Sequence, residues 1–174
     1  YMTCYPGKKL LFMGQEFGQF IEWDEDREID WLLLQYEKHE KLQKFVRALN
    51  RLYLTRKELW NEPEGWNNFA WASCDEAGRN AVALRRTDSS GELLCFFSFC
   101  PNPNPNFTVG VPEGSRWQLI LSSDDEQFGG EGAALPAALT AKPLSAAAAE
   151  AYAKAPAANA AEPGTAAVAA EATA

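Results

Sequence analysis

Leu10, Leu11, Phe12 and Met13 stand in succession, and no other stretch limits the possible fold so sharply. Apolar residues without alternation describe a strand covered on both faces, as in a parallel sheet. Residues 8–13 therefore read as one such strand. Residues 14–34 follow as a long loop carrying Glu16, Phe17, Phe20, Trp23, Asp24, Asp26, Asp30 and Trp31. A connection of that length is usually functional or disordered, and its aromatic content argues against disorder. Over residues 37–60, Leu42, Phe45, Val46, Leu49, Leu52, Tyr53 and Leu59 recur at helical spacing. The seven bases of that stretch fall mostly on its other faces, as on the solvated side of a helix packed against a sheet.

Strand, loop and helix make one βα unit, and such a unit cannot cover its own strand on both sides. The missing partners must come from upstream or from another chain. The opening YMTCYPGKK reads as the last turn of a helix and a tight connection, so the chain is read as a carboxyl-terminal piece.

After the breaker NEPEG at 61–65 the pattern changes to short apolar runs separated by turn residues. Runs at 68–74, 81–86, 93–99, 107–111 and 116–121 argue for antiparallel hairpins in a small β-sandwich, with a last strand near 139–145. Trp71, Phe97, Phe99, Phe107 and Trp117 would supply the bulk of its core. From Ala133 onward 22 of 42 residues are alanine, too few large apolar groups to offset a chain entropy of about 1–2 kcal/mol per residue. A frayed helix at 146–154 and disorder beyond Ala155 are expected. The divisions are thus 1–62, 63–145 and a largely disordered tail, 146–174.

The net charge of −8 would repel a polyphosphate and favours a neutral or cationic partner, so neither nucleic acid nor an anionic membrane is expected. No apolar run approaches the roughly 20 residues that span a bilayer, and no charged-then-apolar leader opens the chain. The expected compartment is the cytoplasm. Cys4, Cys74, Cys95 and Cys100 lack metal-ligand spacing and have one histidine, His39, to help them, so free thiols and no metal or cofactor are expected.

Glu16 lies just past the carboxyl end of the first strand, the face on which parallel barrels carry their sites. It meets either a ligand or the backbone of a neighbouring loop. Neutral sugars are gripped by flat apolar rings and by carboxylate acceptors on their hydroxyls. The aromatics and acids of 14–34 supply both, although such a loop can also pack its own rings onto a barrel edge. A glycosidase acid pair of Glu16 with Asp24 or Asp26 is what any acid-rich surface loop produces by chance. Phosphate loops, hydrolase triads and zinc motifs are missing from the sequence.

KKLLFMGQEFGQ at 8–19 resembles the eighth barrel strand and loop of the 1,4-α-glucan (glycogen) branching enzymes of the α-amylase superfamily, where the pattern reads close to LLFMGNEFAQ. Gln15 and Gly18 depart from it. IEWDEDREIDWLLL at 21–34 is similar to the family's EWN–LDWHLL segment, and FVRALN at 45–50 to LVRDLN in its last barrel helix. SFCPNPNPNFTVGVP at 98–112 and ILSSDDEQFGGEG at 120–132 resemble NFTPVPR–YRVGVP and LNTD–YGGSG. Ser98 and Cys100 replace the usual asparagine and threonine, and the alanine-rich LTAKPLSAAAAEAYAK stands where relatives finish an apolar strand.

This resemblance, over about residues 1–144, implies an α+β fragment: the last strand-loop-helix unit of a (β/α)8 barrel, an antiparallel β-sandwich and the tail. It implies a part in cutting α-1,4 glucan bonds and rejoining the chain as α-1,6 branches. The catalytic acids would lie on earlier strands, so this stretch alone carries none and is expected to be inactive. Glu16, Phe17, Trp23, Asp30 and Trp31 would contact substrate. The implied partners are α-glucan and the amino-terminal barrel of the same protein. A glucan-binding or purely structural sandwich module is the alternative.

Overall fold

The computed structural model describes residues 1–61, 66–74, 77–102, 107–112 and 114–141, and the backbone of 169–172. One long helix, α1 (Glu37–Thr55), is followed by strands β1 (Phe69–Ser73), β2 (Ala81–Asp88), β3 (Gly91–Ser98), β4 (Arg116–Gln118), β5 (Leu121–Ser122), β6 (Ala138–Thr140) and β7 (Ala169–Ala172). Two sheets result, one ordered β1-β2-β3-β7-β5 and one pairing β4 with β6.

The hairpin β2–β3 is the centre of the larger sheet. Its register runs from Ala81 opposite Ser98 to Asp88 opposite Gly91. Asp88 closes the turn by accepting from the Ser90 amide at 2.6 Å, the local bond that makes aspartate a turn former. Alternation then assigns each face. Leu84, Leu93, Cys95 and Phe97 point one way, into a core shared with Cys4 and Leu59, with Leu52, Tyr53 and Trp60 packed against it. Leu94 points the other way, onto Trp117, with Phe96, Val109 and Val111 around them. The first face is thus covered by the amino-terminal segment and the end of α1, the second by the strand carrying Trp117.

Two buried cations lie in this sheet. Arg86 is fully buried on the first face. Its Nη1 donates to the Cys4 carbonyl at 3.1 Å, and its Nη2 to the Leu59 carbonyl at 3.4 Å and to Asn68 Oδ1 at 3.3 Å. Arg85, on the second face, pairs through Nε with the buried carboxylate of Glu92.

The loop after β5 joins the sandwich to α1. The carboxylate of Asp124 accepts from the Glu131 amide at 3.0 Å and the Ala133 amide at 2.7 Å, while its carbonyl accepts from Gly132 at 2.8 Å. Gly130 sits so close that a Cβ there would fall 2.2 Å from the Asp124 carbonyl oxygen. The loop so folded lays Phe128 edge-on against Phe45 of α1, ring centres 5.3 Å apart.

Several expectations are corrected. Residues 8–13 form no strand, and Leu10, Leu11, Phe12 and Met13 are exposed. A parallel strand has no backbone partners without neighbours, and none lies beside this segment among the described residues. Residues 107–111 pack against the second face without joining a ladder. Phe99, expected in the core, is 48% exposed, because it lies past the end of β3. The expected strand near 139–145 is the shorter β6, pairing Trp117 with Leu139; 142–145 lie outside the described residues, as does the frayed helix expected at 146–154.

The tail also departs from expectation where it is described. Instead of disorder, β7 pairs in parallel with both β3 and β5, so the sheet is antiparallel except at this strand. The edges of β3 and β5 offer unpaired amides and carbonyls, and that demand can be met by a segment without large apolar side chains.

Burial holds the Glu92 carboxyl above its ordinary range, with Arg85 opposing the rise. A carboxyl raised on folding contributes stability that is fully present below its unfolded pKa of about 4.3 and is lost as pH climbs through the folded value. Glu92→Gln, which mimics the protonated group, should therefore gain thermal stability relative to the parent chain as pH is raised across that window. Midpoints measured at a series of pH values test this, and a constant difference would contradict it.

Candidate functional site

Two glycines shape the turn that carries Glu16. Gly14 and Gly18 adopt φ of 84° and 70°, left-handed values that L side chains resist. Between them Gln15–Phe17 makes one 3-10 turn. The result throws Phe17 inward and leaves Glu16 half-exposed. A Cβ on Gly18 would come within 2.8 Å of Leu42 Cδ2, so the turn rests directly on α1.

His39 fastens that contact. Its Nδ1 donates to the Phe17 carbonyl at 2.8 Å, and the Phe20 ring meets its imidazole edge-on at 4.9 Å. Gln19 fixes the far side of the loop, its Oε1 accepting from the Asp30 amide at 2.8 Å and its Nε2 donating to the Ile21 carbonyl at 2.9 Å. That bond brings Asp30 back to the glycine turn across eleven positions of chain. Trp31, the next residue, lies over Phe17 with ring centres 5.5 Å apart.

Of the five residues expected to meet substrate, Glu16, Phe17, Asp30 and Trp31 share this turn and its bridge. Phe17 has no exposed surface, and this corrects its role: it anchors the loop and supports Trp31, which is 50% exposed. Trp23 stands apart, 38% exposed and edge-on to Phe12 at 5.7 Å. The Glu16 carboxylate has no hydrogen bond or ion pair among the described residues. Asp24, by contrast, accepts from the Asp26 amide at 3.0 Å and faces Arg27 at 3.7 Å. Its carboxylate is spent on shaping the loop.

An exposed tryptophan, an unpartnered carboxylate and a half-buried one form a surface suited to a neutral polyhydroxylated ligand. No group of three or more potential metal ligands occurs among the described residues. Sequence reasoning missed Gln19 and His39, the two side chains that fix the loop. The one available signal was that His39, the sole histidine, falls in the first turn of the helix after the loop.

Removing the Gln19 amide should free the Asp30 N–H. Gln19→Ala is expected to cost about 1–2 kcal/mol for two hydrogen bonds and to speed hydrogen exchange at Asp30, leaving Leu49 in α1 unchanged. Equal exchange at Asp30 in parent and variant would mean that the bridge does not hold the loop.

The family model described as "Alpha amylase, C-terminal all-beta domain" matches residues 71–158. Similar curated proteins include the 1,4-alpha-glucan branching enzyme GlgB of Marinobacter nauticus, 41% identical over 146 residues, covering 82% of this chain and 23% of that protein. The enzyme of the same name from Pseudomonas putida is 45% identical over 131 residues, 75% of this chain and 18% of its own length. That of Halothermothrix orenii is 41% identical over 136 residues, 76% and 21%. The chain therefore spans about a fifth of the length of the curated relatives it matches.

Proposed function

The chain belongs to the family of the alpha-amylase C-terminal all-beta domain, and from that premise we propose that it is the carboxyl-terminal part of a 1,4-α-glucan branching enzyme. The observation that carries this reading is similarity to proteins of that name over up to 146 residues, more than the family match alone covers. An alignment over 82% of the chain extends beyond residues 71–158. The exposed run Leu10 to Met13 supports the same reading, since a barrel strand deprived of its neighbours leaves just such a surface.

In the complete enzyme a carboxylate displaces the leaving glucan at the anomeric carbon while a second carboxyl protonates the departing oxygen. The 6-hydroxyl of an acceptor chain then takes the bound glucan, and the second carboxylate receives that hydroxyl's proton. Both acids belong to barrel strands upstream, so residues 1–62 contribute the end of the barrel and 63–145 the sandwich. Glu16, Asp30, Trp23 and Trp31 meet the glucan, and Phe17 holds Trp31 in place. The α-glucan and the upstream barrel are the partners, no nucleic acid is bound, and glycogen as product places the reaction in the cytoplasm. No helix among the described residues is long and apolar enough to cross a membrane.

The test is to exchange this chain for the matching part of the Marinobacter nauticus enzyme and to follow new α-1,6 linkages on amylose by NMR. The hybrid should branch, and the isolated chain should not. In the hybrid, Trp31→Ala should raise KM about tenfold with a smaller change in kcat, the pattern of a lost binding contact. Branching by the isolated chain would refute the fragment reading. A folded hybrid that binds maltohexaose and forms no branches would favour a binding module instead.

A further inference from the structure

We propose that the slot between β3 and β5 is a strand-acceptor site, filled within one chain by β7 and, at high concentration, by the β7 of a second copy. Among the described residues, β7 is the one strand paired with β5 and with the edge of β3 away from β2. Its Ala170 lies opposite Cys95 on one side and Leu121 on the other, and Glu171 lies opposite Phe96 and Ser122. Both pairings are parallel. Neighbouring strands lie about 4.8 Å apart, so a slot that β7 bridges on both sides admits one extended chain and no more.

The demand for a strand comes from the walls of the slot. Leu94, Cys95, Phe97 and Ser122 are buried, and main-chain amides and carbonyls in such surroundings are rarely left without partners. The supply comes from backbone alone. Three of the four residues of β7 are alanine, so its composition offers no large apolar side chain to tie it to the slot of its own chain. Main-chain pairing of this kind is the mode by which extended peptides add to sheets.

A second copy is the partner that fits. It brings the same segment, which keeps the parallel sense and the register of both ladders. Residues 141–168 separate β6 from β7, and fully extended they would span roughly 90 Å at about 3.3 Å per residue. A domain of this size has a radius of gyration of about 15 Å, so the tether is long enough for the slot of a neighbouring molecule as well as its own. When two chains trade β7, both slots stay filled and the same ladder bonds form, so the closed pair differs from two monomers chiefly in the cost of association. A tether of this length holds its own β7 at an effective concentration on the order of 1 mM or less, and exchange sets in as the protein concentration approaches it. The slot is a property of the sandwich, whichever reaction the complete protein carries out.

The experiment uses the full chain and its Ala170→Pro variant, which takes an amide out of the ladder and puts proline in a central strand. A fluorescein-labelled peptide of residues 165–174 is the probe. It should bind the variant saturably and about tenfold more tightly than the parent, where the tethered strand competes. Hydrogen exchange within 94–97 and 121–122 should be faster in the variant and slow again once peptide is added, with Leu49 in α1 unchanged throughout. In the parent, sedimentation velocity from about 10 μM to about 1 mM should show a dimer that grows with concentration and that excess unlabelled peptide returns to monomer. This competition uses the parent chain alone, so it holds however the variant folds. Three results overturn the proposal: equal exchange at 94–97 in parent and variant, a parent that stays monomeric throughout, or a dimer that the peptide leaves intact. The last would place association on the exposed run Leu10 to Met13 instead.

Discussion

A guanidinium in a dry core must find acceptors or cost more than the core returns. Arg86 meets that demand with three oxygens from three separate stretches of chain: Cys4 before the site loop, Leu59 after the helix, and Asn68 at the entry to β1. Asn68 itself donates to the Glu58 carbonyl at 3.4 Å. No acidic side chain among the described residues pairs with Arg86, and burial lowers its pKa from the ordinary arginine value. The charge is held by carbonyl dipoles, two of which, those of Cys4 and Leu59, belong to segments that have no ladder of their own.

The consequence for architecture is that the helical unit and the sandwich do not have separate cores. Leu59, Cys4 and Tyr53 close over Leu84, Leu93 and Phe97, and nearer the start of α1 Phe128 reaches Phe45 from the loop clamped by Asp124. α1 has no fully buried residue, so its seat depends on these contacts at its ends and flanks. The loop bearing Glu16 rests in turn on α1, through Leu42 under Gly18 and through His39. Position of the candidate sugar surface is therefore inherited from packing that begins in the sheet.

Much of this was legible in the sequence, for identifiable reasons. α1 could be read because a 19-residue periodic pattern carries its own evidence, and β2 and β3 because turn residues bracket short apolar runs. The segment at 8–13 could not, since a strand exists only with its neighbours, and composition does not say whether they are present. β7 was invisible for the opposite reason: its alanines carry no pattern, and its pairing is set by vacancies on β3 and β5. At the site, the acids and rings were visible by type. Which ring faces inward was decided by two left-handed glycines, and the bonds of Gln19 and His39 leave no periodic trace.

Gly130 shows how far a single backbone approach can reach. The Asp124 carbonyl occupies the space that any Cβ at that position would need, and the loop built there is what sets Phe128 against the helix. Translated to the gene, the constraint falls on two bases of one codon. Every coding change in the first or second base of that glycine triplet adds atoms for which there is no room, while the third base is free to drift.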